Sequence, residues 1–224
     1  MASEEEKKKK LLDRLQKRDY IHTKEVRRAM EVVPREEFVP EDKKPYAYDD
    51  RPLSIGSGQT ISAPHMCAMQ CSALKLEVEE KITLLEVGTG SGYHATLCAE
   101  IMRNQNPENK VYTIERKPEL ADRARAVINA LGYDDIITVL TADGTMGYPE
   151  MAPYDRILVT AAGPRIPKAL KEQLGEGGII VIPVGGRRGY QRLIRGKKIE
   201  GKIKEKNICG VAFVPLIGKD GFSE

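Results

Sequence analysis

The feature that most constrains the fold is a regular alternation of two kinds of segment beginning near residue 82. Short apolar runs, which predict buried strands, alternate with segments whose apolar residues recur at helical spacing. Such an alternation indicates a parallel sheet covered by helices on both faces, and hence a doubly wound α/β fold. The predicted strands are 82–87, 110–114, 136–140, 155–160 and 178–184, and the predicted helices between them are 93–102, 118–131 and 167–174.

The region before this alternation has a different pattern. Apolar residues over 7–33 recur at helical spacing with an interruption before Thr23, which can cap a second helix, so a helical hairpin is predicted. Prolines and glycines over 34–59 predict an extended, loop-rich segment without regular elements. Pro64 can then start a helix over 63–74.

The chain closes with an apolar stretch of another type. Residues 191–214 predict an antiparallel strand pair, which makes the sheet mostly parallel with an antiparallel C-terminal end. We therefore expect one compact domain in two parts. These are an N-terminal helical subdomain with a long loop over 1–76, and a cofactor-binding α/β core with the C-terminal strands over 77–224.

The charge balance excludes some classes of protein. The 36 basic and 33 acidic residues leave a net charge of +3, which provides no strong field to attract nucleic acid or an anionic membrane. The first ten residues lack the apolar stretch of a secretory signal, and there is no run of eighteen apolar residues. We expect a cytoplasmic protein that binds neither nucleic acid nor membrane.

The four cysteines have no spacing typical of a zinc site, so no metal is expected. Cys67 and Cys71 lie one helical turn apart and are predicted to share a buried helix face. A redox role for this pair stays open.

A glycine-rich turn follows the first predicted strand. Three glycines, the first at Gly88, stand where only backbone can approach a ligand closely. A dinucleotide-binding turn has the spacing G-x-G-x-x-G, but here Tyr93 occupies the place of the last glycine. S-adenosylmethionine, which has no pyrophosphate, fits this G-x-G-x-G spacing better than NAD does. We expect Gly88, Thr89, Gly90 and Ser91 to bind that cofactor, although tight packing alone can also require such glycines.

Three acidic residues stand at or near the ends of successive predicted strands. Glu115 can accept both ribose hydroxyl groups, and Asp143, followed by Gly144, can approach the adenine amino group. Glu86 can reach the amino acid end of the cofactor, directly or through water, or it can fix the turn by hydrogen bonding. Each has an ordinary structural alternative, but the carboxyl ends of parallel strands meet at one sheet edge. One shared cofactor site is therefore predicted.

Motifs outside this core give the sequence a resemblance to a known family. From about residue 20 to residue 218 it resembles the protein-L-isoaspartate O-methyltransferases, a family of class I S-adenosylmethionine-dependent enzymes. The resemblance implies a Rossmann-like methyltransferase sheet, S-adenosyl-L-methionine as cofactor and S-adenosyl-L-homocysteine as product. The matching motifs are VPREEFVP over 33–40, RPLSIGSGQTISAPHM over 51–66, Asp143-Gly144, APYD over 152–155 and Val214-Pro215-Leu216.

The resemblance also implies a substrate and its site. Family members methylate the free carboxylate of L-isoaspartyl residues in damaged proteins, and the ester then closes to a succinimide whose hydrolysis returns some normal aspartate. Ser62 is implied as the active-site hydroxyl, and Thr60, Ile61 and His65 as residues lining the same pocket. Glu86 and Glu115 stand where many members have aspartate, so the acid chemistry is retained.

The chemistry of a carboxylate nucleophile limits what the site must supply. A carboxylate is ionised at neutral pH, its ordinary pKa being about 4, and needs no general base. Charge disperses toward the transition state, so a dry site with neutral donors suits the reaction. Residues 52–66 contain no lysine or arginine, and Ser62 is assigned to orient the carboxylate, although it could instead cap the following helix. A peptide of variable sequence is expected to bind through its backbone beside Val214.

Alternatives from other classes stay open at this point. A methyltransferase acting on a small carboxylic acid, an NAD-dependent oxidoreductase and a non-catalytic binding protein could all use a related fold. The motifs favour an enzyme whose partners are isoaspartyl-containing proteins and peptides, and a monomer is expected.

Overall fold

The computed structural model describes residues 3–187 and 189–224, and these residues are organised around a seven-stranded sheet. Met1 and Ala2, at the start of the predicted N-terminal subdomain, and Arg188 lie outside the described residues. The helices are α1 (Glu4–Lys17), α2 (Lys24–Val32), α3 (Pro64–Leu74), α4 (Tyr93–Arg103), α5 (Pro118–Ala130) and α6 (Lys168–Gln173). The strands are β1 (Leu53–Gly56), β2 (Gln59–Ile61), β3 (Thr83–Val87), β4 (Lys110–Glu115), β5 (Ile137–Thr141), β6 (Tyr154–Val159), β7 (Leu174–Gly185), β8 (Gln191–Ile199) and β9 (Lys202–Val211).

The main sheet has the strand order β5-β4-β3-β6-β7-β8-β9. Strands β3 to β7 pair in parallel, whereas β8 and β9 add antiparallel strands at one end. The predicted doubly wound, mostly parallel sheet with an antiparallel C-terminal pair is confirmed. The order reverses between β3 and β6, since the chain first builds toward β5 and then returns to the other side. Open α/β sheets bind ligands at the carboxyl ends of the strands beside such a reversal.

The sheet separates two hydrophobic cores. Successive side chains of a strand point to opposite faces, so Leu84 packs with the N-terminal helices while Leu85 packs in the second core. The first core also contains Leu12 of α1, Cys67 and Cys71. The prediction that these two cysteines share a buried helix face is confirmed.

The predicted N-terminal helical hairpin is confirmed as α1 and α2. Ser3 and Glu6 form a reciprocal capping box at the start of α1. The Thr23 hydroxyl caps α2 by accepting a hydrogen bond from the Val26 amide at 3.3 Å. A buried carboxylate on α4 fastens this hairpin to the core, because Arg28 donates to Glu100 at 2.5 Å.

The prediction of no regular elements over 34–59 was wrong. The segment contains 3₁₀ turns over Arg35–Phe38 and Glu41–Tyr46, and β1 pairs with β2 as a short antiparallel hairpin. The apolar side chains of β1 are buried and alternate with exposed ones, a pattern hidden among the turn formers. Gly56, Ser57 and Gly58 all have positive φ and form the turn of this hairpin. The two glycines were predicted to lie in an irregular loop.

No helix among the described residues has both the length and the apolar character needed to cross a membrane.

Candidate active site

The turn after β3 approaches β6 too closely for any side chain at its first position. A Cβ on Gly88 would lie 2.3 Å from Thr160 Oγ1, and the φ of +98° is a value that other residues rarely adopt. The Thr160 hydroxyl donates to the Gly88 carbonyl oxygen at 2.6 Å. The ends of β3 and β6 are thereby tied together at the point where the strand order reverses.

A buried chain of hydroxyl groups supports this turn from below. The Thr113 hydroxyl donates to Glu86 Oε2 at 2.5 Å, and the Thr89 hydroxyl lies 2.7 Å from that of Thr113. Glu86 is completely buried and does not line the cleft above it, and burial raises its pKa to about 7. Its contacts agree with the second predicted role, in which Glu86 fixes the turn.

Glu115 ends β4 and joins the turn to the next strand. Its Oε2 accepts the Gly90 amide hydrogen at 2.9 Å, and its Oε1 accepts that of Lys117 at 3.0 Å. Each carboxylate oxygen keeps a further lone pair, so the group can still accept hydrogen bonds from a ligand. Glu115 lines the cleft together with Gly88, Thr89, Gly90 and Ser91.

The opposite wall of the cleft comes from the segment between β2 and α3. Thr60, Ile61 and Ser62 line it, across from the glycine turn. Ser62 does not cap α3, because the cap position falls on Ala63 and no side chain caps this helix. The structural alternative for Ser62 is therefore wrong.

A buried arginine holds the Ser62 backbone. Arg35 is 1% exposed, and its Nη2 donates to the Ser62 carbonyl oxygen at 2.7 Å while Nε donates to that of Ala47 at 2.8 Å. The guanidinium also lies over the ring of Tyr93, 4.9 Å from its centroid, and that ring lines the cleft. Arg35 stands in the VPREEFVP motif, but its burial was not predicted, because arginine is usually exposed.

His65 lies beside the cleft and does not line it. Its amide and its ring Nδ1 both contact Asp50 Oδ1, at 3.0 and 2.8 Å. Burial opposes ionisation of this carboxyl, but the hydrogen bonds from His65 hold the pKa of Asp50 below its usual value. The pair fastens the start of α3 to the preceding loop.

The two residues of the Asp-Gly pair after β5 lie in different cavities. Gly144 lines the cleft, where a Cβ would lie 2.5 Å from Val87 Cγ1. The Asp143 carboxylate accepts from the Thr145 amide and hydroxyl and from the Lys219 amide, all within 2.9 Å. It lines a second cavity together with residues of the C-terminal segment.

The C-terminal segment and the end of β6 complete the cleft. Val214, which was predicted, lies here, and its carbonyl oxygen accepts from the Ala162 amide at 2.8 Å. The strand-end rule that singled out Glu115 could also have found Thr160. Gln59, Pro215 and Leu216 stand in the family motifs without having been assigned to the site, and the remaining residues had no local signal. The lining residues that sequence reasoning missed are Gln59, Cys67, Val87, Tyr93, His94, Ile114, Arg116, Lys117, Thr160, Ala161, Pro215, Leu216 and Ile217.

Comparisons with known proteins identify the family that the sequence motifs resemble. A family model described as Protein-L-isoaspartate(D-aspartate) O-methyltransferase matches residues 6–221. A protein-L-isoaspartate O-methyltransferase of Ignicoccus hospitalis is 54% identical over 96% of this chain and 100% of its own length. The one from Methanopyrus kandleri is 51% identical over 96% of this chain and 93% of its own length. A Plasmodium falciparum structure named for the same activity, in complex with S-adenosyl-L-homocysteine, superposes with a TM-score of 0.83 at 28% identity, covering 93% of this chain and 97% of the other.

The reversed strand order, the glycine turn and the strand-end acid are shared by several Rossmann-like classes, and the matching family and its relatives place this chain among the S-adenosylmethionine-dependent methyltransferases. The NAD-dependent alternative is therefore excluded. Within that class, the chain belongs to the protein-L-isoaspartate(D-aspartate) O-methyltransferase family. Its reaction is O-methylation of L-isoaspartyl residues in proteins.

Proposed function

We propose that the cleft between the glycine turn and the β2–α3 segment is where methyl transfer to an isoaspartyl carboxylate takes place. One observation carries this proposal. The implied active-site hydroxyl of Ser62 and the cofactor-type turn at Gly88 line the same cavity, although they are supplied by different parts of the chain. Two reactants held in one cavity react as if at high effective concentration.

The residues at the sheet edge fit S-adenosylmethionine. Gly88 and Gly144 leave space that a Cβ would fill, so backbone can face a ligand closely at both positions. We assign Glu115 to the ribose hydroxyls, and Thr89, Gly90 and Ser91 to the amino acid end of the cofactor. Glu86 acts through Thr113 and Thr89 as a support of the turn. When bound, the cofactor supplies an electrophilic methyl group on a positively charged sulfur.

Asp143 has a narrower proposed role. Its carboxylate already accepts hydrogen bonds from Thr145 and Lys219, so we propose that it positions Gly144 and the C-terminal segment at the adenine end. A direct contact with the adenine amino group would use a remaining lone pair of the carboxylate.

The β2–α3 segment is proposed to orient the substrate. An isoaspartyl carboxylate is ionised at neutral pH and needs no base to attack, so orientation is the main contribution required of the protein. Thr60 and Ser62 offer neutral hydroxyl donors, while the positive charge of Arg35 is directed to backbone carbonyl oxygens. Neutral donors hold the carboxylate without reducing its reactivity as a strong cation would. His65 supports this segment through Asp50.

An extended peptide is proposed to lie along the backbone near Val214. Gln191 already binds the Phe213 amide and carbonyl, at 2.7 and 3.2 Å, which fixes the chain entering this segment. Recognition through backbone groups suits an enzyme whose damaged sites have varied neighbours.

We also propose a cellular location, an oligomeric state and a domain organisation for this enzyme. All four cysteines are free, which suits the reducing cytoplasm. A monomer is supported by the edge strand β9, where exposed Lys202, Lys204 and Lys206 discourage pairing with a second sheet. We also propose that residues 1–76 and 77–224 form one domain, since Leu12 and Leu84 share a core. Light scattering on the purified chain tests the monomer, and cell fractionation tests the location.

The deciding experiment is transfer of labelled methyl from S-adenosylmethionine to a synthetic isoaspartyl peptide. We expect labelling of that peptide and none of its normal aspartyl isomer. Ser62→Ala should lower kcat at saturating peptide by roughly tenfold to a hundredfold, because orientation is lost, and should leave the Kd for S-adenosyl-L-homocysteine unchanged. Ser54→Ala, an exposed serine of β1, is the matched control. Equal labelling of both isomers, or full turnover by Ser62→Ala, would refute these assignments.

A further inference from the structure

Two thiols and an imidazole meet behind the glycine turn. Cys71 belongs to α3, whereas His94 and Cys98 lie one turn apart on α4. One donor atom from each of the three residues lies within 4.8 Å of the other two. None of the three residues is more than 6% exposed. The established reaction assigns no role to this cluster.

His94 of this cluster has buried polar atoms without a hydrogen-bond partner among the described residues. Neither ring nitrogen of His94 has a hydrogen-bond partner, and both are buried. Glu86 Oε1, on the neighbouring strand β3, is likewise buried without a partner. A buried polar group without a partner costs about 1–3 kcal/mol, so native proteins rarely keep one without a reason.

We propose that Cys71, His94 and Cys98 bind a zinc ion. Thiolate sulfur and imidazole nitrogen are the ligands that Zn²⁺ prefers, at bond lengths of about 2.3 and 2.0–2.1 Å. Tetrahedral coordination would place these donor atoms about 3.4–3.8 Å apart by the same bond lengths. The observed spacing therefore requires only small side-chain adjustments. A neutral water molecule would complete the tetrahedral set, because catalytic-type sites with three protein ligands keep water in the fourth position.

The charge of the cluster selects a divalent ion. Each cysteine loses its proton to solvent on binding, so two thiolates balance the two positive charges while the imidazole stays neutral. A buried metal centre whose ligands balance the charge of the ion avoids most of the desolvation penalty that an unpaired charge would carry. A monovalent soft ion such as Cu⁺ would leave a net negative charge in the core.

The position of the cluster gives the ion a structural consequence. It would join α3, which follows Ser62, to α4, which begins at the glycine turn. His94 also lines the cleft, so the ion has a route from solvent. Zinc would thereby fix the substrate-side helix against the cofactor-side helix.

The test uses the full-length, untagged chain kept reduced. Dialysis against Zn²⁺ and then against metal-free buffer should leave about one zinc per chain by elemental analysis. Co²⁺ in its place should give the intense visible bands of tetrahedral thiolate coordination. Cys71→Ser, His94→Gln and Cys98→Ser should each lose the ion or bind it at least tenfold more weakly, whereas Cys209→Ser on β9 should keep it.

Three results would overturn the proposal. The first is wild-type chain with free thiols that takes up neither ion. The second is a Cys71–Cys98 disulfide with no metal in protein purified without reductant. The third is uptake unchanged by all three substitutions. Because the Co²⁺ spectrum is read on the wild-type chain, failure of a variant to fold does not remove the test.

Discussion

The guanidinium of Arg35 donates to the backbone carbonyl of Ser62 across a distance of 2.7 Å, with almost no solvent contact. This hydrogen bond connects a 3₁₀ turn of the N-terminal region to the backbone of the residue that carries the proposed catalytic hydroxyl. Arg35 touches no reacting atom, so we regard it as a positioning residue. Its contacts with the Ala47 carbonyl and the Tyr93 ring fix the guanidinium in place.

Replacement of Arg35 should therefore affect turnover more than cofactor binding. We expect Arg35→Met to lower kcat by about a hundredfold, the cost associated with misplacing a reacting group by about an ångström. Arg35→Lys should recover part of the loss, because one ammonium can reach one of the two carbonyl oxygens. Steady-state kinetics with isoaspartyl peptide measures kcat and KM, and a melting curve shows whether the variants are folded. A folded Arg35→Met enzyme with normal kcat would contradict the positioning role.

Glu115 provides a separate test of the cofactor side. Glu115→Gln should weaken binding of S-adenosyl-L-homocysteine by roughly tenfold to a hundredfold, since a hydrogen bond to a charged group contributes about 1.5–3 kcal/mol. Isothermal titration calorimetry measures the change. Glu119→Gln is the matched control, because Glu119 is a nearby carboxylate on α5 that binds Ser57 and does not line the cleft. Equal affinities for the two variants would contradict the assignment of Glu115.

The glycine turn predicts a contrast between two alanine substitutions. A Cβ at Gly88 would lie 2.3 Å from Thr160 Oγ1, whereas one at Gly132 would meet nothing within 4 Å. Both residues have positive φ, so both substitutions carry the backbone cost of about 1–2 kcal/mol. We expect Gly88→Ala to lower Tm clearly more than Gly132→Ala and to abolish the rise in Tm that S-adenosyl-L-homocysteine gives. Thermal unfolding with and without that ligand measures both effects, and equal Tm values would contradict the crowding argument.

The hydrogen bonds to the Asp143 carboxyl should make the free energy of unfolding depend on pH. Burial opposes ionisation of this carboxyl, but hydrogen bonds from Lys219 and Thr145 hold its pKa below the ordinary 3.8. A carboxyl whose pKa is lowered by folding stabilises the protein above its unfolded pKa and loses that contribution as the pH falls through the folded pKa. Asp143→Asn should therefore lower the free energy of unfolding at pH 6 by about 1–3 kcal/mol, and by less at pH 3.

Urea unfolding at the two pH values checks this expectation. Asp134→Asn, at an exposed position that contacts Asn129, should change the free energy by no more than about 0.5 kcal/mol at either pH. A difference between Asp143→Asn and the native chain that grows as the pH falls would contradict the predicted sign.

Much of the fold could be predicted because its signals are local. The strands and helices from residue 82 onward follow from their hydrophobic periodicity, and the helical hairpin follows from spacing and a cap at Thr23. The β1–β2 hairpin could not be recognised in the same way. Its strands are three and four residues long and surrounded by prolines and glycines, so the turn formers dominated the pattern.

The candidate site could be predicted in outline only. The glycine spacing and the acids near strand ends placed a ligand at one sheet edge, because parallel strands bring their carboxyl ends together. The same rule treated Glu86, Glu115 and Asp143 alike. In the structure Glu115 lines the cleft, Glu86 lies beneath the turn, and Asp143 faces the C-terminal segment.

By itself, then, the sequence determined the elements of this enzyme, its strand-helix order and its glycine turn, because backbone preferences and hydrophobic spacing act over a few residues. The tertiary structure decided which side chains meet. Arg35 reaches Ser62, and Cys71 meets His94 and Cys98, only after separate elements pack against one sheet. Such contacts depend on how helices and loops lie relative to one another, which no local spacing encodes.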